Sequence, residues 1–73
     1  MTWREGDHVR LNQPIRPRDY TEIPAGEEGV IMACVTPTVF RVELDRSPDL
    51  FCELHRSALT NLSAQMREKA ATK

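Results

Sequence analysis

The chain has 73 residues, with ten Lys and Arg against eleven Asp and Glu and a net charge of -1. At that length a folded domain removes only about 60% of its unfolded surface from water, which allows one small core and no second domain. A preformed small-molecule pocket of roughly 300 Å³ or more would consume that core, so any site is expected on the surface or between subunits. With 40% hydrophobic and 29% charged residues, the composition is that of a soluble globular domain and excludes a disordered chain.

In chain order, Met1-Thr2-Trp3-Arg4-Glu5-Gly6-Asp7 holds no apolar segment and no small-residue cleavage site, so no signal peptide is expected. Within residues 7–12, Val9 and Leu11 share one face while His8, Arg10 and Asn12 share the other, the alternation of a half-buried first strand. Residues 13–28 carry Pro14, Pro17, Pro24 and Gly26 without helical periodicity and predict a long loop. Residues 29–35 are rich in apolar side chains on both faces, as expected of a central strand. Their apolar run, 30–35, is six residues long, far below the ~20 that cross a bilayer.

Thr36-Pro37-Thr38 predicts a tight connection to a strand over residues 39–44, with Phe40, Val42 and Leu44 inward and Arg41 and Glu43 outward. Asp45-Arg46-Ser47-Pro48-Asp49 reads as a turn. Leu50, Cys52 and Leu54 then form a third inward set opposite Phe51, Glu53 and His55. Residues 55–58 suit a single 3-10 turn before a short fifth strand over 59–62. Ser63 is expected to cap a short helix running to Ala71, within a tail over 63–73 that is either helical or disordered. A helix of about nine residues is marginal alone, so it is expected to be frayed or docked. The chain has two cysteines, Cys34 and Cys52; their apolar, strand-like contexts predict buried free thiols in a reducing cytoplasm.

These elements predict an all-β fold: a small five-stranded SH3-like barrel over residues 1–62, with a long first loop, a 3-10 turn before the last strand, and the tail 63–73. Gly6-Asp7-x-Val9-x-Leu11, then Gly26-x-x-Gly29-Val30-Ile31, then Val39 with Val42-Glu43-Leu44, resemble the short SH3-like barrels that open on a Gly-Asp-x-Val strand. Those include a bacterial domain family of unknown function, KOW barrels and the type II dihydrofolate reductases. The resemblance covers residues 6–62 and implies a fold rather than a function.

Three chemistries can be weighed on the residues. The reductase barrels tetramerise around a pore, where a Val-Gln-Ile-Tyr motif and a first-strand Lys serve the site. The matching positions here are Phe51, Cys52, Glu53 and Leu54, with Leu11 in place of the Lys. The Gln, Tyr and Lys are missing, and Glu53 would repel anionic ligands. Cys52-Glu53-Leu54-His55 has a Cys-x-x-His spacing, but strand alternation turns Cys52 and His55 to opposite faces, against both a zinc site and a nucleophilic pair. Glu27 and Glu28, beside Gly26 and Gly29, read as a charged hairpin shoulder. Arg10, Arg16 and Arg18 with Tyr20 could form an anion-binding or nucleic-acid face beside the long loop. Asp19 and Glu22 cancel much of its field, and a nucleic-acid binder of this size needs a basic excess that the chain lacks.

Trp3 either caps an open end of the core or anchors an interface, and an outward Phe51 calls for cover from a partner. The expectation is therefore a non-enzymatic, cytoplasmic protein-interaction or assembly module, without cofactor or metal and not acting at a membrane, that binds a protein partner or itself. Its interaction residues are Trp3, Phe51, Arg10, Arg16, Arg18 and Tyr20, with the tail 63–73. The alternatives are a KOW-like nucleic-acid-binding barrel and a pore-site oligomeric enzyme.

Overall fold

A computed structural model describes residues 2–17 and 21–71. Five strands form one antiparallel sheet: β1 (His8–Leu11), β2 (Glu28–Cys34), β3 (Val39–Leu44), β4 (Ser47–His55) and β5 (Leu59–Asn61). A 3-10 turn, Arg56–Ala58, precedes β5, and a helix, α1 (Leu62–Ala71), follows it. The sheet order is β4-β3-β2-β1-β5.

Period-2 alternation builds the core as expected. Val9, Leu11, Ile31, Phe40, Val42, Leu44, Cys52 and Leu59 pack into one buried cluster, with Trp3, Ile15, Ile23 and Leu54 partly buried against it. Gly29, opposite Val9 on one side and Leu44 on the other, is needed for close approach: a Cβ there would lie 2.5 Å from the Glu43 carbonyl oxygen. The described parts of the long loop, residues 13–17 and 21–27, pair with each other as an arm. Ile15 and Ile23 exchange both backbone hydrogen bonds, at 2.9 and 2.7 Å, and the Gly26 N–H donates to the Leu11 carbonyl at 2.8 Å.

The structure differs from the sequence-based expectation in four places. The sheet does not close into a barrel: β4 and β5 are its two edges. β5 is only three residues long, and the chain leaves it directly for α1, so no ladder joins the edges. The second difference is a bulge between Ile31 and Ala33. It leaves Met32 exposed and shifts the end of β2, so Cys34 is exposed while Cys52 is buried; the expectation of two buried thiols holds for one. Third, the turn after β3 is tighter than five residues. Leu44 pairs with Ser47 across a two-residue turn, and a register irregularity follows before Phe51 pairs with Glu43. Pro48 thereby falls within β4, tolerable because β4 is an edge strand.

The fourth difference lies at α1. The cap is Asn61, whose Oδ1 accepts from the Ala64 N–H at 2.8 Å. Ser63 sits inside the first turn and its Oγ accepts the His8 N–H at 2.9 Å. Ala64 is buried, and Arg67 reaches Asp7 with two guanidinium nitrogens, at 2.6 and 3.0 Å. The short helix is docked through these contacts. Among the described residues, no helix is long and apolar enough to cross a membrane.

Candidate protein-binding cleft

The residues singled out from sequence fall into separate places. Arg18 and Tyr20 lie outside the described residues. Trp3 stacks on Phe40, with ring centroids 4.9 Å apart and planes inclined by 24°, and the Arg56 guanidinium lies 5.1 Å above the indole. Its Nε1–H is buried without a hydrogen-bond partner among the described residues. Trp3 is thus held by contact area, closing one end of the core. Arg10 is exposed on β1, where its register neighbours are Glu28 and Thr60.

Phe51 and Arg16 come together. Residues 13–17 of the hairpin arm face residues 51–54 of β4 across an open cleft of about 550 Å³. Ile15 and Pro17 are half-buried, which fixes the arm, whereas Arg16 between them is exposed. On the β4 side Phe51 is 55% exposed, Cys52 is buried, Leu54 is half-buried and Glu53 is exposed. The side chains of residues 52 and 54 belong to the core and those of 51 and 53 to the outer face, so the cleft runs along the free edge of β4. Burial pushes the Cys52 thiol up from its ordinary range, which suits a packing residue and opposes a thiolate nucleophile.

The charges of the cleft are unequally committed. Glu53 pairs with Arg41 at 3.1 Å, both side chains being about half exposed, a contact worth less than about 1 kcal/mol. Arg16 has no ion-pair partner among the described residues. Pro14, Ile15 and Pro17 are not marked as site residues by the sequence, and Leu54 only as a position matching the reductase motif; the Ile15–Ile23 pairing that shapes the arm is not specified by local patterns.

Chemically suggestive pairs elsewhere have structural duties. The His55 Nδ1 accepts the Ser57 N–H at 3.1 Å and lies 2.9 Å from Ser57 Oγ. This is the cap of the 3-10 turn, with the ring nitrogen already occupied by a backbone donor. His8 Nε2 donates to Glu28 Oε1 at 2.5 Å on the outer face. Among the described residues, no three His, Cys, Asp or Glu side chains gather as a metal site would require.

The most strongly perturbed carboxylate is Asp7, which sequence reading passed over as part of a glycine-led motif. It accepts hydrogen bonds from Arg67, from Asn61 Nδ2 at 2.9 Å and from the Arg4 N–H at 2.9 Å. The Arg67 guanidinium foremost, then these other donors, outweigh burial and hold its carboxyl down at about 2. Arg67 also donates to the Thr2 carbonyl at 3.0 Å. Each participant is answered by another, so this cluster is a clasp rather than a reactive site.

No family model, curated protein or solved structure matches this chain.

Proposed function

We propose that the chain is a small, non-enzymatic protein-interaction module that engages its partner through the cleft between residues 13–17 and β4. The observation that carries this reading is Phe51, a large apolar side chain 55% exposed on an edge strand, across the cleft from an exposed arginine, Arg16. Exposed aromatic and arginine side chains in one depression are the material of binding hot spots. The five antiparallel strands, the long first connection and the 3-10 turn fit an opened relative of the short SH3-like barrels. Free Cys34 and Cys52 suit a reducing cytoplasm.

Position 51 carries the test. A photo-crosslinking amino acid is placed there in the intact chain in cells, with the exposed Thr36 position as the comparison. A discrete protein adduct formed from position 51 and not from 36 is the expected result. Equal labelling from both positions, or none from 51, would overturn the reading. Adducts to nucleic acid, together with affinity that falls steeply with salt, would favour the KOW-like alternative instead.

A further inference from the structure

We infer that the partner contributes an extended peptide segment bearing an acidic residue, which adds to the free edge of β4 as a sixth strand. This rests on the protein-binding role proposed for the same cleft.

β4 is the last strand of the sheet, so alternate residues along it direct their N–H and C=O groups away from β3. Among the described residues, no backbone group outside β3 bonds to residues 51–54. These four residues offer about 13 Å of edge, the length of a four-residue extended segment. Three residues of the opposite wall have no N–H to offer the ladder. Pro14 and Pro17 have no N–H, and Ile15 has spent its donor and acceptor on Ile23. A peptide in the cleft therefore takes its main-chain hydrogen bonds from β4 and rests its side chains on the arm.

The chemistry of those side chains follows from what lines the walls. Ile15, Phe51 and Leu54 provide apolar surface on both sides, suited to alternate apolar residues of an extended segment. Glu53 is answered by Arg41, whereas Arg16 is unanswered among the described residues, so Arg16 is the charge on these walls that a ligand can answer. A carboxylate on the peptide satisfies it.

A random peptide display library is selected on the full chain and counter-selected on Phe51→Ser. Enriched sequences are expected to alternate apolar residues and to share an Asp or Glu. Arg16→Glu should then weaken the synthetic peptides about tenfold or more. N-methylation scanned along a peptide should cost about tenfold at every second position and little between them, because only alternate amides face β4. Uniform tolerance of N-methylation would overturn strand addition while leaving a side-chain-docked protein partner standing. Peptides indifferent to Arg16→Glu would overturn the acidic residue. Failure to enrich any sequence on the intact chain would overturn the inference as a whole, and the crosslink from position 51 would then decide the broader role separately.

Discussion

The two edges of this sheet are finished in opposite ways. At β5 the chain runs straight into α1, and Asp7 and Asn61, 4% and 3% exposed, are enclosed among Arg67, Arg4 and the Ala64 amide. At β4 the ladder stops, Phe51 stands in solvent, and the facing arm supplies prolines and an arginine without an ion-pair partner among the described residues. An edge strand left open is a hazard of uncontrolled pairing, which proteins usually blunt or cover. Here the chain leaving one edge is tied back to the start of β1 by a polar clasp, and beside the other edge stands an arm held off by a cleft. The difference separates stability from recognition: substitutions at the first edge should move folding, and those at the second should move binding.

The largest effect should come from Asp7→Ala. It leaves the Arg67 guanidinium and the Asn61 amide without their shared acceptor, and breaking such a cluster costs about 3 kcal/mol. Urea denaturation should show a lower midpoint, and helical circular dichroism from α1 should fall with it. An unchanged midpoint would mean that the clasp contributes nothing net. Asn61→Ala removes the α1 cap together with one hydrogen bond to Asp7, and about 1.5 kcal/mol should be lost in the same assay.

Acid should act on the same edge. Asp7 titrates at about 2 when folded against an ordinary 3.8, so its native form prefers to be ionised. Its contribution is therefore complete above the ordinary value and is lost as pH falls from there through about 2. The denaturation midpoint of the natural chain should drop across that window. Arg67→Ala, lacking the group chiefly responsible for the shift, should show a shallower drop; equal slopes would break the assignment. The smallest effect sharpens the contrast: Phe51→Ser should change stability by no more than about 0.5 kcal/mol while abolishing binding of the peptides selected on the intact chain. A large loss of stability there would place Phe51 in the fold rather than in the cleft.

What was legible in the sequence was whatever a period of two can encode. Alternation turns Val9 and Leu11, then Phe40, Val42 and Leu44, then Leu50, Cys52 and Leu54 inward; the structure buries or half-buries each of them but Leu50, whose side chain lies outside the described residues. The 3-10 turn was also legible; for residues 63–73 the sequence left a helix to Ala71 and a disordered tail both open, and the structure forms the helix. The bulge at Met32 was not, because a continuous apolar run gives no sign of where an extra residue slips in, and Cys34 consequently emerges on the surface. Asn61 and Ser63 are both good caps two residues apart, and only the docking of His8 on Ser63 decides between them. Closure of the sheet into a barrel depends on how the two edges meet, which no local pattern states.

The candidate cleft was half legible. Phe51 and Arg16 were chosen for exposure and charge, but nothing in their spacing said that they share a depression. The sequence allows Trp3 two roles, and its stacking on Phe40 puts it against the core. The clasp was invisible for the plainest reason: Asp7 and Arg67 stand sixty positions apart, and each reads locally as an ordinary surface charge.

The antiparallel register of β1 and β5 has a mechanical consequence. Val9 lies against Asn61 and Leu11 against Leu59, so the start of the first strand and the finish of the last are neighbours. Tension applied to residues flanking the folded core at both ends would peel these two strands apart like a zip, bond after bond, rather than shearing them all at once. Arg67, bridging Asp7 and the Thr2 carbonyl, stands at the fork of that zip. In a molecule whose first and last strands share a three-residue ladder, that guanidinium, with the Asn61–Asp7 and His8–Ser63 bonds beside it, meets the load first.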